Sequence, residues 1–279
     1  MVVMASRNLM GTPAAHNKSS AIRQRAWALL LATATFSPAV FALPDELQVH
    51  LDETNKPGQF SLDTVVSYAL SKPAQSEAAG LRSSAHLLQI SPELGYGITK
   101  NTQVSLQIFS SLDAHRQLRV DGARAGLTTL FIRPDDEDDD GPFFGTLLEA
   151  GRLPATLSVN RIDGEIKFLM GYRSGRWLFA FNPEIGFKIA GPGPSEPELS
   201  IKAKIAYRSS EGYRVGIEHF GELGPLGRLG PLNQQSQQTF AVIDFKSQHV
   251  DVGIGVGRGW NANSQRWLLK TTISFPISN

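Results

Sequence analysis

Residues 177–189 read WLFAFNPEIGFKI, and this stretch decides the fold. Every second residue is an aromatic ring, an isoleucine or a proline, whereas Asn182, Glu184 and Lys188 occupy alternate positions. Successive side chains of a β-strand point to opposite faces, so the segment is predicted to be a strand with one apolar and one polar face. The charges in mid-strand exclude a strand that is buried on both sides, because such strands are hydrophobic throughout.

The same alternation recurs along most of the chain. It is found near residues 60–70, 90–98, 104–108, 166–172, 199–207, 213–217, 241–245, 250–256 and 267–275, and more weakly near 122–133 and 143–151. Turn residues separate these segments at fairly regular intervals, which is typical of an all-β protein. The sequence therefore predicts about twelve strands, and no segment shows the 3.6-residue period of a convincing amphipathic helix.

Alternation alone does not say which face of the sheet lies inside. A soluble barrel or sandwich buries its apolar face, whereas a transmembrane barrel turns that face toward lipid. In this chain short connections alternate with longer ones, the polar faces carry charges of both signs, and Tyr and Trp gather near strand ends on the apolar faces. These features are typical of membrane barrels with short periplasmic turns and aromatic girdles. We therefore predict an antiparallel up-and-down transmembrane β-barrel, with a soluble barrel or sandwich as the alternative.

The first 42 residues differ from the rest of the chain. They carry four basic residues and no acidic one, and an apolar run leads to the small residues of Val40-Phe41-Ala42. A basic start, a short apolar run and a small-residue cleavage site are the pattern of a secretory signal peptide, and Pro38 argues against the alternative of a spanning helix. The predicted organisation is a signal peptide over 1–42, a short periplasmic lead over 43–58 and a barrel over 59–279.

Composition excludes several classes of protein. The 279 residues include 27 Lys or Arg, 26 Asp or Glu and no Cys, and 41% of them are hydrophobic. Without Cys the chain has neither disulfides nor thiolate metal sites, and a net charge of +1 argues against nucleic acid as a partner. Removal of the predicted signal peptide leaves 23 basic and 26 acidic residues, a slightly acidic chain. An exported chain without Cys suits the envelope of a Gram-negative bacterium.

The polar faces of the strands supply the candidate functional residues. We expect fifteen charged side chains to line the lumen: Asp63, Glu93, Glu149, Lys167, Arg173, Glu184, Lys188, Lys202, Lys204, Arg208, Arg214, Glu218, Asp244, Asp251 and Lys270. A barrel of about eight strands is filled by its own side chains, and one of about 16 leaves an aqueous channel, so twelve strands lie between. The charges therefore either pair and hold the interior together, or form the walls of a narrow pore. In a pore, the basic residues of 202–214 bias permeation toward anionic solutes.

No catalytic, cofactor or metal site is predicted. The acidic run 135–140 with Gly141 matches the start of an EF-hand calcium loop, but Leu147 stands where the bidentate Glu is required. His219 is adjacent to Glu218, and neighbours on a strand point to opposite faces, so the two do not form an acid–base pair. A solvated acidic turn and a non-enzymatic barrel are therefore expected.

Several motifs resemble those of a known family. They are Leu43-Pro44-Asp45-Glu46-Leu47-Gln48-Val49, Asn55-Lys56-Pro57-Gly58, Leu94-Gly95-Tyr96-Gly97, Gly171-Tyr172-Arg173-Ser174-Gly175-Arg176-Trp177, Glu222-Leu223-Gly224-Pro225-Leu226 and Arg266-Trp267-Leu268-Leu269-Lys270. With them the chain resembles a family of largely uncharacterised proteobacterial outer-membrane barrels, similar to the phenol-degradation-pathway transporter-like barrels. The resemblance implies a barrel fold and an outer-membrane location for this chain. It assigns no catalytic or ligand-binding residue. The final Pro276-Ile277-Ser278-Asn279 departs from the terminal aromatic residue that barrel-insertion machinery commonly reads.

The functional prediction is a passive channel or transporter for small solutes in the outer membrane, with a mixed-charge lumen. The expected partners are outer-membrane lipid, a small solute, for which an anion is one option, and the barrel-insertion machinery. The alternatives are a non-conducting barrel that serves as a structural or partner-binding protein and, behind it, a barrel hydrolase.

Overall fold

The computed structural model describes residues 47–70, 84, 86–112, 117–136, 139–247, 249–261 and 263–277. The predicted signal peptide and the first residues of the lead lie outside this part of the chain. Among the described residues, no helix is long and apolar enough to span a membrane. The strands are β1 (Phe60–Ala69), β2 (Leu88–Thr99), β3 (Thr102–Leu112), β4 (Leu118–Ile132), β5 (Gly141–Arg152), β6 (Ile162–Ser174), β7 (Trp177–Ala190), β8 (Glu198–Arg208), β9 (Arg214–Pro225), β10 (Ser236–Lys246), β11 (Asp251–Gly259) and β12 (Trp267–Pro276).

The strands close into one antiparallel barrel. Each strand pairs with its neighbours in sequence, and β1 pairs with β12 from Ser61 opposite Pro276 to Ala69 opposite Leu268. Closure pairs the backbone N–H and C=O groups within the sheet, which is the condition for a sheet to lie in hydrocarbon. The predicted all-β, twelve-stranded up-and-down barrel is confirmed.

The connections distinguish the two ends of the barrel. At one end, which we name the turn end, the connections span residues 100–101, 133–140, 175–176, 209–213 and 247–250. At the other, the loop end, they span 70–87, 113–117, 153–161, 191–197, 226–235 and 260–266. The acidic segment 133–140 is the longest connection at the turn end, and Asp140 Oδ1 there accepts a hydrogen bond from the backbone N–H of Gly175 at 2.6 Å. β1 starts and β12 finishes at the turn end, so the lead also reaches the barrel there.

The outer surface is apolar and the inner surface is rich in charge. Ile205 and Ile217 expose 49% and 58% of their surface to the outside. Their neighbours on the same strands, Lys204 and Glu218, turn inward and are buried. This arrangement is that of a barrel surrounded by lipid, because a soluble barrel places its apolar face inside.

Aromatic rings on the outer surface gather at the turn end. The ring centroids of Phe60 and Tyr96 are 4.7 Å apart, and those of Trp177 and Tyr207 are 4.9 Å apart. Phe60 and Trp177 are the first residues of their strands, and Tyr207 is the last but one of its strand. Tyr and Trp carry a polar group on an apolar ring, and such rings sit at the level of lipid head groups. The girdle therefore marks the turn end as one surface of the membrane.

Glycines on the inward face of β11 make room for large side chains of neighbouring strands. A Cβ at Gly257 would overlap the ring of Phe240, which is fully buried. A Cβ at Gly255 would lie 3.0 Å from Lys270 Cγ and 3.1 Å from Val242 Cγ1. These two glycines therefore allow Phe240 and Lys270 to fold into the lumen.

Replacement of Gly257 by alanine is expected to destabilise the barrel by about 1–3 kcal/mol, because the added carbon overpacks the interior against Phe240. Gly186→Ala is the matched control, since at this inward position the atom nearest to a Cβ is Glu165 Cγ at 4.0 Å. Urea unfolding of barrels refolded in detergent measures the difference. Equal unfolding midpoints for the two variants would contradict the close packing at Gly257.

Candidate functional site

A belt of ion pairs runs along the inner wall from β4 to β8. We name it the ion-pair belt, and its members are Arg124, Glu149, Glu165, Lys167, Glu184 and Lys202. Cations and anions alternate across neighbouring strands, so the three positive and three negative charges compensate one another. A buried charge is tolerated only when it is paired in this way.

Lys167 is the centre of the ion-pair belt. Its Nζ lies 2.6 Å from Glu149, 3.3 Å from Glu165 and 3.8 Å from Glu184. Arg124 closes the arrangement, because its guanidinium lies 3.0 Å from Glu149 and 2.8 Å from Glu165. The Lys167 side chain has 0% exposure, so the lumen is packed at this level.

A second group of charges continues around the wall from β8 to β12. We name it the Lys270 cluster, and it comprises Lys204, Glu218, Asp244 and Lys270. Lys204 Nζ lies 3.0 Å from Glu218 and 2.6 Å from Asp244, and Lys270 forms an ion pair with Glu218. Two cations and two anions again compensate one another, so the wall has little net charge here.

The N-terminal lead runs inside the barrel between these two groups. Thr54 donates to the carbonyl of Lys100, in a connection at the turn end, at 2.9 Å. Asp52 pairs with Arg173, whose Nε lies 3.0 Å from Asp52 Oδ2. The lead therefore enters the lumen at the turn end, where Arg173 is the last residue but one of β6.

The lead continues from there toward the middle of the barrel. The backbone N–H of His50 donates to Asn182 Oδ1 on β7 at 2.8 Å. Lys270 Nζ donates to the carbonyl of Leu47 at 2.8 Å, so the Lys270 cluster holds the lead as well as its own anions. The predicted periplasmic lead over 43–58 thus places its described part within the lumen, anchored to several different strands.

Apolar side chains surround the deepest part of the lead. Leu47 and Val49 are buried in one cluster with the inward residues Ala69, Phe143, Leu178, Ala180, Ala206, Phe220, Phe240, Val242 and Leu268. The rings of Phe220 and Phe240 meet edge to face at 5.5 Å, and Lys270 Nζ lies 5.2 Å and 5.4 Å from their centroids. The lead is therefore packed against the wall as tightly as a core segment.

A cavity of about 660 Å³ lies beside the lead at the turn end. Wall residues of both signs line it together with the lead, among them Asp63, Glu93, Arg214, Lys246 and Asp251. Asp63 stands directly across from Glu93 on the neighbouring strand. The cavity is thus a largely polar space that a small solute or water can enter, and it extends inward to the Lys270 cluster.

The fifteen predicted residues fall into four places. Four belong to the ion-pair belt: Glu149, Lys167, Glu184 and Lys202. Four form the Lys270 cluster: Lys204, Glu218, Asp244 and Lys270. Four more line the cavity together with the Lys270 cluster: Asp63, Glu93, Arg214 and Asp251. The remaining three are Arg173, which holds the lead, Lys188, which donates to the carbonyl of Gly193 at 2.6 Å, and Arg208, the last residue of β8.

The structure adds residues that the sequence pattern does not single out. Arg124 and Glu165 complete the ion-pair belt, and Asp52 and Asn182 hold the lead. Arg124 lies in a run of Gly and Ala on β4, where no apolar alternation marks the inward face. Asp52 precedes the first strand, so no strand period applies to it. Glu165 alternates in phase with Lys167, and that phase is the one signal that could have identified it.

The fold resembles solved outer-membrane barrels, while no protein-family model and no curated protein sequence matches the chain. An outer membrane channel from Pseudomonas putida F1 matches with a TM-score of 0.58 and 11% identity, over 83% of this chain and 100% of that one. The KdgM porin matches with a TM-score of 0.51 and 10% identity, over 78% of this chain and 99% of that one. The NanC porin matches with a TM-score of 0.51 and 8% identity, over 78% of this chain and 100% of that one. At these identities the likeness shows the shared barrel fold.

Proposed function

We propose that the protein is a passive channel for small solutes that is closed, in the conformation observed, by its own N-terminal lead. The observation that carries the proposal is the position of residues 47–56, which occupy the lumen and contact several strands of the wall. These contacts are made by side chains and not by strand pairing, so the lead can move without opening the sheet. The porins and the channel that share the fold support the same function.

The apolar outer surface and the closed antiparallel sheet support a place in the outer membrane of a Gram-negative cell. In such barrels the short turns lie on the periplasmic side, and this supports entry of the lead from the periplasm. We propose in addition that residues 1–42 are a signal peptide and that the shared motifs reflect kinship with the phenol-degradation-pathway transporter-like barrels. Cleavage after Ala42 would start the mature chain a few residues before the buried Leu47.

Planar-bilayer recording on refolded protein tests the channel. Correct folding is verified first by heat-modifiable migration in detergent. We expect small conductance steps separated by long closures, because the lead must leave its contacts before solute passes. A complete lack of conductance from verified barrels, both with the lead and after its removal, would reject the proposal.

The preferred charge of the solute is a finer question. The basic residues 202–214 predict an anion preference, but Lys202 lies 3.0 Å from Glu184, and Lys204 is paired in the Lys270 cluster. Lys202 and Lys204 are thus already compensated by carboxylates, which weakens their contribution to an anion preference. The KdgM porin offers a parallel, since one of its structures is a complex with disordered oligogalacturonate. A reversal potential on the anion side in a salt gradient would support the preference, and one on the cation side would reject it.

A non-conducting structural barrel is the second candidate, and one observation favours it. The ion-pair belt and the buried rings fill the lumen so tightly that Lys167 has no exposed surface. The two functions predict different conductance for a barrel from which the lead has been removed. A structural barrel stays silent in the bilayer when residues 47–54 are removed, whereas a gated channel conducts.

A further inference from the structure

A row of polar side chains faces the lipid on the outer surface of β9, β10 and β11, near the loop end. His219 stands across from Thr239, and Thr239 stands across from Arg258. Thr239 is the fourth residue of β10, about 10 Å from the loop end of the strand at roughly 3.3 Å per residue. The row is unusual because polar groups that face lipid are costly and are found where they serve a function.

Hydrogen bonds connect Trp260, Thr239, His219 and Gln237 in that order. The indole N–H of Trp260 donates to Thr239 Oγ1 at 2.8 Å, and an indole nitrogen can only donate. His219 Nδ1 lies 2.9 Å from Thr239 Oγ1, and His219 Nε2 lies 2.7 Å from Gln237 Oε1. The tautomer of His219 therefore depends on which atom Gln237 presents to it.

Two further hydrogen bonds determine which atom of Gln237 faces His219. Gln237 Nε2 donates to Gln235 Oε1 at 2.7 Å, and Gln235 Nε2 donates to the carbonyl of Gly230 at 2.7 Å. A carbonyl can only accept, so Gln237 presents its oxygen to His219 and Nε2 of the ring carries the proton. Nδ1 is then the acceptor, and the Thr239 hydroxyl donates its proton to it.

A hydroxyl that donates to a histidine, which in turn donates to an orienting oxygen, is the arrangement of an activated nucleophile. Thr239 supplies the nucleophile, His219 the general base, and Gln237 the oxygen that positions the ring. We propose that this row hydrolyses an acyl ester of a membrane lipid at the outer surface of the barrel. The site lies on the opposite side of the wall from the lumen, so its chemistry does not depend on conduction.

The surroundings of the row fit a lipid ester. Ala203 stands across from His219, and Gly221 stands across from Gln237, whose side-chain amide lies over this glycine. Ile217, with 58% of its surface exposed, continues the apolar surface toward the middle of the membrane. An acyl chain can lie along this surface while its ester reaches Thr239 near the interface, where water is available.

Arg258 gives the row its charge complementarity. Arg258 stands across from Thr239 on β10 and from Trp267 on β12, and its guanidinium lies over the ring of Trp267, 5.6 Å from the centroid. A cation on the outer surface near the loop end can pair with the phosphate of a lipid head group. The chemical class of the substrate is therefore a phospholipid with an acyl ester.

The reaction balances with water as the second reactant. Thr239 Oγ1 bonds to the acyl carbon while its proton passes to His219 Nδ1, and the ester bond breaks as the leaving alcohol takes that proton. Water then attacks the acyl-threonine, gives a proton to His219 Nδ1, and releases the fatty acid as Thr239 regains its proton. One ester and one water yield one alcohol and one fatty acid.

The test uses the refolded barrel with a diacylphosphatidylglycerol in mixed micelles, and mass spectrometry measures the fatty acid released. We expect His219→Gln to lower kcat by about 100-fold or more, the typical contribution of a general base. Thr239→Val removes the hydroxyl and should abolish release, whereas Thr239→Ser keeps it and should restore release. Thr271→Val is the matched control, because Thr271 alternates in phase with the outward Trp267 and Leu269 on β12 and has Ile254 and Val66 as its cross-strand partners.

Variants of Gln237 test its positioning role through kcat, KM and the pH profile. Gln237→Leu should lower kcat with little change in KM and shift the pH profile, and Gln237→Glu should restore kcat because a carboxylate oxygen also accepts from His219. Heat-modifiable migration confirms that each variant is folded. Release of fatty acid that is equal in the wild type and Thr239→Val, or absent from the folded wild type, would overturn the proposal.

Discussion

Deletion of residues 47–54 is expected to raise the single-channel conductance of the refolded barrel several-fold. These residues occupy the lumen from the turn end to its middle, where Leu47 and Val49 pack against inward side chains. The ion-pair belt and the Lys270 cluster lie on different parts of the wall, so removal of the lead opens the space between them. The deletion leaves all twelve strands and their pairing unchanged.

A point variant separates the effect of the lead from that of chain length. Val49→Asp places a charge among apolar side chains and should displace the lead, since a buried unpaired charge is costly. Glu53→Ala is the control, because this exposed side chain contacts Lys246 only loosely, at 3.7 Å. Conductance is recorded in planar bilayers after folding is verified. An unchanged conductance for both the deletion and Val49→Asp would show that the lead does not close the lumen.

The sequence predicted the barrel well because one physical constraint acts on almost every strand. Lipid outside and charge inside impose a period of two, and this period is plain from Trp177 to Ile189 and from Leu199 to Tyr207. The period weakens on β4, which begins at Leu118 and not near residue 122. Register shifts interrupt its pairing with β3 at Phe109 and with β5 at Leu130, so its two faces are not in phase throughout.

Near the loop end of β9 and β10 the polarity of the two faces is reversed, with apolar side chains inside and polar ones outside. Phe220 and Phe240 turn inward and pack around the lead, while His219 and Thr239 turn toward lipid. A comparison of His219 with its sequence neighbour Glu218 therefore misses its partners, because Thr239 and Gln237 lie on the adjacent strand. A single sequence does not carry the register that brings His219 and Thr239 together.

The position of the lead could not be predicted for a related reason. Asp52 and Arg173 are 121 residues apart, and His50 and Asn182 are 132 residues apart. Neither pair leaves a local pattern, because the lead forms no strand and its residues have no period to follow. Only the closed wall, with its inward polar and aromatic side chains, creates the environment in which the lead is stable.

Replacement of Lys167 by methionine should destabilise the folded barrel by about 3–5 kcal/mol, the typical cost of removing one partner from a buried ion pair. Methionine fills a similar volume, so the loss comes from charge and not from a cavity. Glu149, Glu165 and Glu184 all lie within 3.8 Å of Lys167 Nζ, and the variant leaves these buried carboxylates close together.

Lys246→Met is the matched control for the loss of a lysine. Its ion pairs with Glu53 and Asp251 are long, at 3.7 and 3.8 Å, and the side chain is 40% exposed, so we expect a change below about 1 kcal/mol. Adding Glu149→Gln to Lys167→Met removes one excess anion and should recover part of the lost stability. Urea unfolding in detergent, followed by heat-modifiable migration, measures all three variants. Similar stability for Lys167→Met and Lys246→Met would mean that water enters the ion-pair belt and screens its charges, so that the wall can conduct without rearrangement.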